Sequence, residues 1–193
     1  MDITKMINIL ITSAGKRVSL TKEFMVELKN VFRDGMVFTC DMNPRMSPAG
    51  VVSDGCFKVP PCNSEDYIES LLSLCIEHQI GLIIPTIDTD LTALSLNKNN
   101  FAKRGVQIVI PDYEFVIKCL DKRKTTDFFK KHRINIPKSR DKNHPEFPMF
   151  AKPYDGSCSQ NTHIIHKQID LTETILNDPK LLFMEYVKIL KGL

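Results

Sequence analysis

Residues 147–159 read Phe-Pro-Met-Phe-Ala-Lys-Pro-Tyr-Asp-Gly-Ser-Cys-Ser, with a lysine at position 152 between two unlike halves. The first half is apolar and predicts a buried strand. The second half is small and polar and contains Gly156, which predicts a flexible loop. A strand that delivers an ammonium group beside such a loop can hold a phosphate chain, because backbone N–H groups of the loop close over phosphate oxygens. A lysine at the solvated rim of a strand is the alternative, and the motif alone leaves both interpretations open.

Length and composition indicate an ordinary globular protein. The 193 residues suffice for one large domain, or for one domain and part of another. A net charge of +3 gives no electrostatic argument for binding nucleic acid. The apolar run at residues 6–11 is too short for a membrane span or a signal peptide, so no membrane partner is expected. The six cysteines show no C-x-x-C spacing, which predicts reduced thiols and a cytoplasmic location.

The first 111 residues alternate short apolar strands with helices. Strands are predicted at residues 7–11, 36–40, 56–59, 81–84 and 106–110. Helices are predicted at residues 16–32, from 63 or 64 to 78, and 91–101. In the first helix, the residues expected on the buried face are Leu20, Phe24, Leu28 and Val31. Repeated β-α units with strands that are apolar on both faces predict an α/β fold with a Rossmann-like parallel sheet.

The pattern changes after Pro111 and becomes α+β in character. Two helices follow at residues 112–120 and 123–132, and residues 139–146 are polar and predict a loop. Strands are expected up to Lys152, at residues 162–166 and at residues 181–187, with a short helix at 171–176. We therefore expect two domains, residues 1–111 and residues 112–193.

Ligands of open parallel sheets bind beyond the carboxyl ends of the strands, and the first strand ends in a turn that suits an anion. The turn comprises Ser13, Ala14, Gly15, Lys16 and Arg17. It matches neither the P-loop pattern nor G-x-G-x-x-G, so a tight turn without a ligand stays an alternative. Asp41 ends the second strand, where it would suit a ribose hydroxyl.

Two further candidates follow the fourth strand and the first of the two later helices. Asp88 and Asp90 are two residues apart and could bind an amine or a metal. We interpret Asp90 as a helix N-cap and leave the role of Asp88 open. The pair Asp121–Lys122 stands at the junction of the two helices, where such a pair is usually part of the surface.

Five segments occur in an order that is similar to one family. They are Thr-Ser-Ala-Gly-Lys-Arg at 12–17, Pro-Thr-Ile-Asp-Thr-Asp-Leu at 85–91, the segment from Asp121 to Pro137, the stretch at 147–157, and Leu-Leu-Phe-Met-Glu-Tyr-Val at 181–187. This order resembles the ATP-grasp superfamily, specifically proteins similar to the carbamoyl-phosphate synthase large subunit. The resemblance implies a Rossmann-like pre-ATP-grasp domain followed by the first, small α+β subdomain of the ATP-grasp fold.

The resemblance also implies roles for individual residues. It assigns Lys122 and Lys152 to the nucleotide phosphates. The mobile loop over the phosphates corresponds to Asp155, Gly156, Ser157 and Ser159, with Cys158 where similar proteins often have glycine. The strand segment that contacts adenosine corresponds to Glu185, Tyr186 and Val187. A second-substrate site would be lined by Ser13, Ala14, Gly15, Lys16, Arg17 and Asp88, and we group Asp41 with it.

What the resemblance implies about activity is an ATP-dependent ligase. Such an enzyme activates a carboxylate as an acyl phosphate and passes it to an amine, with ATP and, in the full-length parent, Mg²⁺ as cofactors. The family's Mg²⁺ ligands lie beyond the strand at Glu185, so we expect this chain to be an inactive fragment with weak or absent ATP binding, and a homodimer is possible. The alternatives are a non-catalytic nucleotide- or small-molecule-binding domain and a dinucleotide-binding oxidoreductase, against which the missing G-x-G-x-x-G argues.

Overall fold

The computed structural model describes residues 7–188. The chain divides into two compact units between Val116 and Ile117, and each unit is described by itself below. No helix within residues 7–188 combines the length and the apolar character needed to cross a membrane.

The first unit alternates strands and helices, as its sequence pattern predicts. Its strands are β1 (Asn8–Thr12), β2 (Val37–Asp41), β3 (Gly55–Lys58), β4 (Ile80–Pro85) and β5 (Gln107–Ile108). Its helices are α1 (Val18–Val31), α2 (Pro48–Val52), α3 (Tyr67–Glu77), α4 (Asp88–Leu96) and α5 (Lys98–Ala102). A single 3-10 turn, Pro44–Met46, precedes α2.

The five strands form one parallel sheet in the order β3-β2-β1-β4-β5. Strand β1 is central and pairs with β2 on one side and with β4 on the other. The order of the strands reverses between β1 and β4, so the loops that follow these two strands flank the crevice where open α/β sheets bind ligands.

Side chains of the central strand alternate between two cores because successive residues of a strand point to opposite faces. Leu10 packs with the residues of α3, α4 and α5 in a large apolar cluster. Its neighbours Ile9 and Ile11 pack on the other face with Leu28 of α1 and Ala49 of α2. The sheet is therefore covered by helices on both faces.

Helix α1 buries a different face from the predicted one. Leu28 is buried and Phe24 packs partly against the core, but Leu20 is 38% and Val31 is 68% exposed. Thr21 is fully buried instead, and its hydroxyl donates to the carbonyl oxygen of Arg17. The prediction was wrong at Leu20 and Val31, two of the four positions. These residues lie at the edge of the apolar stripe of the helix, and an apolar residue at that edge does not show which face of the helix packs on the sheet.

Other helix boundaries differ from prediction for local reasons. Helix α3 begins at Tyr67 after Asp66, and not at residue 63 or 64. The helix predicted at 91–101 is interrupted at Asn97, whose side-chain amide donates to the carbonyl oxygen of Ala93. An asparagine that satisfies the last carbonyl groups of a helix favours its termination.

Helix α2 was missed, although its sequence carries the signal of a helix start. Ser47 accepts a hydrogen bond from the backbone N–H of Gly50, and Pro48 occupies the first helical position. A helix of only five residues has too short an apolar pattern to be found by periodicity.

The second unit contains two helices and a small antiparallel sheet. Helix α6 (Tyr113–Leu120) spans the division between the units and is followed by α7 (Lys122–Lys131). The strands are β6 (Met149–Pro153), β7 (His163–Ile165) and β8 (Leu181–Glu185), in the order β7-β6-β8, with α8 (Glu173–Asn177) before the last strand. Together the two sheets give the predicted fold class, an α/β parallel sheet followed by a small α+β part.

The two faces of this small sheet differ in burial, and the side chains of β6 show the difference. Met149 and Ala151 are fully buried and pack with Leu181 and Phe183 of β8 and with residues of α8. Lys152, which pairs with Leu182, lies on the opposite face. The apolar positions of β6 therefore fix the side of the sheet from which the lysine projects.

The core of the first unit can be tested on α3, which carries a buried and an exposed aliphatic residue. Leu71 is fully buried, whereas Ile76 is 67% exposed. We expect Leu71→Ala to lower the free energy of unfolding by about 2–5 kcal/mol, because the side chain leaves a cavity, and Ile76→Ala to change it by about 0.5 kcal/mol or less. Urea unfolding followed by circular dichroism measures both, and equal losses would contradict this packing.

Candidate functional site

Two lysines from different elements of the second unit line the same space. Lys122 is the first residue of α7, and Lys152 lies near the end of β6. Both line a cavity of about 190 Å³ and a second cavity of about 370 Å³. We call this space the lysine cleft. Residues that are thirty positions apart in the sequence thus line the same two cavities.

The electrostatics of the lysine cleft favour an anion. Burial, and after it the positive charge of Lys122, lowers the pKa of Lys152. The ammonium form of Lys152 is therefore disfavoured in the free protein, and an anion between the two lysines would relieve this cost. The Lys122 ammonium donates to the carbonyl oxygen of Gly156. An oxygen of a bound anion can replace this carbonyl oxygen as the acceptor.

The start of α7 holds Lys122 in place. Asp121 caps the helix by accepting from the backbone N–H of Arg123 at 2.9 Å. The side chain of Arg123 also hydrogen-bonds to this carboxylate and lowers the pKa of Asp121 to about 2. The Arg123 guanidinium lies 3.6 Å from the ring centre of Tyr154, and the backbone N–H of Lys122 donates to the Tyr154 carbonyl oxygen at 2.8 Å. The junction Asp121–Lys122 is thus a capped helix N-terminus that is hydrogen-bonded and stacked against Tyr154 at the end of β6.

The predicted loop over the phosphates borders the larger cavity of the lysine cleft. Gly156, Ser157, Cys158 and Ser159 line this cavity, with Cys158 and Ser159 exposed and at φ values of 52° and 55°. Non-glycine residues rarely adopt this left-handed conformation, which glycine adopts at lower cost. The carboxylate of Asp155 lies outside the cavity lining and binds the Lys180 ammonium at 2.6 Å.

The segment predicted to contact adenosine is engaged with neighbouring main chain. The carboxylate of Glu185 accepts from the backbone N–H of Lys138 at 2.9 Å, and the Tyr186 N–H donates to the Pro148 carbonyl oxygen at 3.3 Å. Val187 is 59% exposed. Among the described residues, these three do not belong to the lining of either cavity of the lysine cleft.

Several lining residues of the smaller cavity escaped sequence reasoning. They are Thr125, Thr126, Phe129, Asn135, Ile136, Pro137, Leu182 and Met184. The alternation of β8 carries the signal for two of them, since Leu182 pairs with Lys152 and Met184 follows two residues later on the same face. The apolar character of this wall suits the flat face of a base or ring beside the charged lysines.

A separate polar cluster of the first unit lies at the carboxyl ends of β1 and β4. The hydroxyl groups of Thr12 and Ser13 both donate to Oδ2 of Asp90, at 2.9 and 2.8 Å. The hydroxyl of Thr86 lies 2.9 Å from the carbonyl oxygens of Thr12 and Ser13. These bonds tie the turn after β1 to the turn after β4, across the crevice of the sheet.

The prediction that Asp90 is a helix N-cap is wrong. Helix α4 begins at Asp88 after Ile87, so Asp90 lies in its first turn, fully buried, and accepts from the hydroxyl groups of Thr12 and Ser13. Asp88, in contrast, is exposed and accepts from the backbone N–H of Thr89. Burial raises the pKa of Asp90, and the hydroxyl groups of Ser13 and Thr12 oppose that shift.

One oxygen of this buried carboxylate lacks a partner. Within residues 7–188, neither Oδ1 of Asp90 nor the hydroxyl of Tyr67 makes a hydrogen bond of ordinary geometry. Burial, and after it the Asp90 charge, raises the pKa of Tyr67. The cluster holds a carboxylate without a bonded cationic side chain among the described residues, which is a costly arrangement that protonation relieves.

The rest of the predicted substrate turn is brought close to this cluster. Ala14 is buried, and Gly15 adopts a φ of 43° with its carbonyl oxygen accepting from the backbone of Ala49. Lys16 is exposed, and Arg17 extends a guanidinium nitrogen to 3.4 Å from the Thr86 carbonyl oxygen.

The remaining predicted residue of the first unit is also near the turn. A side chain at Gly15 would approach Oδ2 of Asp41 to 3.9 Å, and the other oxygen of Asp41 accepts from the Asn43 N–H at 2.9 Å. Ser13, Gly15, Arg17 and Asp41 thus meet at one end of the sheet. No three His, Cys, Asp or Glu side chains in the described part of the chain are placed to share a metal ion.

Comparison with protein families gives one match. A family described as "PylC-like, N-terminal domain" matches residues 9–109, which is just over half of the chain. A search of curated protein sequences gave no match.

Solved structures of biotin-dependent carboxylases share the fold. Pyruvate carboxylase of Rhizobium etli with acetyl coenzyme A is 9% identical with a TM-score of 0.62, and the alignment covers 94% of this chain and 18% of that one. The biotin carboxylase domain of Hydrogenobacter thermophilus 2-oxoglutarate carboxylase, in complex with MgADP, ADP and bicarbonate, is 13% identical with a TM-score of 0.61 and coverages of 95% and 45%. A bicarbonate-bound biotin carboxylase domain of thermophilic 2-oxoglutarate carboxylase is 14% identical with a TM-score of 0.57, and the alignment covers 95% of this chain and 44% of that one.

At these identities the likeness concerns the fold alone. It confirms the predicted class, a Rossmann-like parallel sheet followed by a small sheet of the ATP-grasp type. The chain spans less than half the length of each of these structures.

The buried carboxylate gives a pH dependence that can be measured. Because the pKa of Asp90 is higher in the folded than in the unfolded chain, its contribution to the free energy of unfolding falls as pH rises from about 4 through the folded-state pKa. We expect Asp90→Asn, which resembles the protonated form, to flatten this decline. Urea unfolding between pH 4 and 8 measures it, with the exposed Asp88→Asn as the control that keeps the decline.

A second variant separates charge from hydrogen bonding. Asp90→Ala leaves the hydroxyl groups of Thr12 and Ser13 without their acceptor, so it should lower the free energy of unfolding by about 1–3 kcal/mol near pH 4. This loss should become smaller toward pH 8, because the variant lacks the charge that lowers the stability of the original chain. A decline with pH that persists unchanged in Asp90→Asn would show that another group carries it.

Proposed function

This chain belongs to the PylC-like N-terminal domain family, and from this we propose that it is part of an ATP-grasp ligase whose nucleotide phosphates bind in the lysine cleft. The observation that carries the proposal is the meeting of Lys122 and Lys152 in one cleft bordered by the loop at residues 156–159. Two ammonium groups that line one cleft suit a chain of phosphate oxygens better than a single carboxylate. The presence of MgADP in a biotin carboxylase domain of the same fold supports this choice.

Each part of the cleft has a role in this proposal. Lys122 and Lys152 neutralise and align the phosphate chain, while the backbone of Gly156 and the hydroxyl groups of Ser157 and Ser159 close over it. The apolar wall that contains Phe129, Leu182 and Met184 receives the base. Glu185 at the end of β8, with Tyr186 and Val187 after it, is proposed to contact the adenosine through its main chain. Asp155 stands at the base of the loop.

The reaction that we propose is carboxylate activation. A carboxylate oxygen attacks the γ-phosphorus of ATP, which forms an acyl phosphate and releases ADP. An amine or a similar nucleophile then attacks the acyl carbon, loses a proton and displaces inorganic phosphate, as in proteins similar to the carbamoyl-phosphate synthase large subunit. The residues of this chain bind and orient the nucleotide. Removing water from such a cleft strengthens the electrostatic interaction between their charges and the phosphates. We assign no Mg²⁺ ligand to residues 7–188, because they offer no group of three acidic, histidine or cysteine side chains around one point.

The turn of the first unit is the proposed second-substrate site. Ser13, Ala14, Gly15, Lys16 and Arg17 follow β1 at the reversal of strand order, where backbone N–H groups and the two cationic side chains suit a carboxylate. Asp41 and Asp88 carry the acidic groups on either side of this turn.

The limits and the setting of the protein are also proposals. We place the pre-ATP-grasp domain at residues 1–111 and the partial ATP-grasp subdomain at residues 112–193. All six cysteines are free thiols, which a reducing compartment such as the cytoplasm maintains. A homodimer is proposed as the assembly.

Nucleotide binding tests the proposed function directly. We expect ADP and ATP to bind with at best millimolar affinity, about 4 kcal/mol, and Lys152→Ala or Lys122→Ala to weaken binding by about tenfold or more through loss of a charge-assisted contact. Chemical shifts of the residues around the cleft measure it. Lys124→Ala, on the exposed side of α7, is the matched control and should bind as the original chain does. Equal binding by all four proteins would refute the assignment of the cleft.

Turnover is a separate question. We propose that these 193 residues alone do not hydrolyse or transfer from ATP, because phosphoryl transfer needs metal ions that bridge the phosphates, and the ligase resemblance places their ligands in a later segment than β8. A phosphate-release assay with ATP, Mg²⁺ and mixed amino acids should stay at the level of a Lys152→Ala control. Release clearly above that level would overturn the proposal.

A further inference from the structure

Both ends of the loop over the lysine cleft are fastened to one short turn. The turn comprises residues 178–180, between α8 and β8. At the first end of the loop, the Lys180 ammonium binds the Asp155 carboxylate at 2.6 Å. At the other end, the side-chain amide of Asn161 donates to Oδ2 of Asp178 at 3.0 Å.

The turn itself is held rigidly. The second oxygen of Asp178 accepts from the backbone N–H of Lys180 at 2.8 Å. The backbone N–H of Tyr154 donates to the Lys180 carbonyl oxygen at 2.9 Å, which continues the pairing of β6 with β8. Pro179 lies between the two clamping residues and has few backbone conformations available. The turn therefore moves with the sheet and not with the loop.

Apart from the hydrogen bond from the Lys122 ammonium to the Gly156 carbonyl oxygen, the contacts found within the central part of the loop, residues 157–160, are local among the described residues. The backbone N–H of Gln160 donates to the Ser157 carbonyl oxygen, and the Thr162 hydroxyl donates to that of Ser159. Ser157, Cys158 and Ser159 are exposed. The loop thus has two fixed ends and a free central part that faces the cleft.

We propose that residues 178–180 are a clamp that sets the position of the loop, with Asp155, Asp178 and Lys180 as positioning residues that do not touch the ligand. The clamp restricts where the central part of the loop can stand, so fewer conformations are lost when the loop closes on an anion. That Asp155 acts on the loop distinguishes it from Ser157 and Ser159, which line the cavity. The consequence for nucleotide binding rests on the proposed function; the effect on the loop does not.

Exposure of the ion pair decides what its removal should do. The side chains of Lys180 and Asp155 are 57% and 40% exposed, and exposed ion pairs contribute little to global stability. Breaking the clamp should therefore leave the unfolding transition of the protein unchanged and act on the loop. This separates a positioning role from a merely structural one.

Charge reversal tests the clamp with a built-in rescue. Asp155→Lys and Lys180→Asp each replace attraction by repulsion, and the double variant restores a pair of opposite charges. We expect backbone order parameters at the end of the loop that the ion pair holds, residues 155–156, measured by ¹⁵N relaxation, to fall from about 0.85 to below about 0.6 in each single variant. The double variant should recover the original values. Asp178→Ala should loosen residues 160–161 in the same way, while Lys98→Asp, which breaks the ion pair with Asp112 in the first unit, should not.

The outcomes decide both proposals separately. Unchanged order parameters in the single variants, or a double variant as mobile as the single ones, would overturn the clamp. ADP binding should weaken about 2- to 5-fold in Lys180→Asp and recover in the double variant, the range that exposed ion pairs support. If the loop loosens as expected but ADP binds to none of the proteins, including the original chain, the clamp stands and the proposed nucleotide site fails.

Discussion

The position of β6 between β7 and β8 is the constraint on which the lysine cleft depends. A central strand must present one face to the core, and Met149 and Ala151 occupy that face completely. The period of two then leaves Phe150 and Lys152 on the open face, opposite Met184 and Leu182. A shift of register by one residue would bury the ammonium group and expose the methionine, so apolar packing guarantees the direction of the lysine.

The charges of the cleft are stabilised by groups that do not enter it. Asp121 caps α7 and holds Arg123, which stacks on Tyr154 at the end of β6. The residue between them, Lys122, is therefore presented from a rigid helix start to the same opening as Lys152. Preorganised cations of this kind bind an anion without first having to order themselves. The proposed clamp at residues 178–180 extends the same principle to the loop.

The first unit solves a different electrostatic problem at its sheet end. A fully buried carboxylate, Asp90, is tolerated because two hydroxyl groups of the neighbouring strand donate to one of its oxygens. The same bonds fix the turn after β1, in which Ser13 and Gly15 adopt positive φ values. The strained turn and the desolvated carboxylate thus occur together, beside the crevice where α/β sheets bind ligands.

The sequence by itself determined the alternation of strands and helices, the change from an α/β to an α+β pattern after Pro111, and the position of Lys152 before a glycine-containing loop. These features follow from local periodicity and from the positions of Pro and Gly. Lys152 was singled out by its position between an apolar run and a small polar loop, whereas Lys122 was singled out only by the resemblance to the ATP-grasp superfamily. Periodicity did not show that Asp90 is buried or that Leu20 and Val31 are exposed. The alternation of β8 places Leu182 and Met184 on one face, but only the pairing of β8 with β6 shows that this is the face of Lys152.

Those features depend on which elements become neighbours. Asp90 was read as a cap because an aspartate near a helix start usually is one, and only the pairing of β1 with β4 brings Thr12 and Ser13 to its carboxylate. The same holds for Asp155, whose partner Lys180 is twenty-five residues away and adjacent only through the pairing of β6 with β8. Local sequence fixes what each side chain can do, and long-range strand pairing decides what it meets, since contacts between distant residues form only when the sheets assemble.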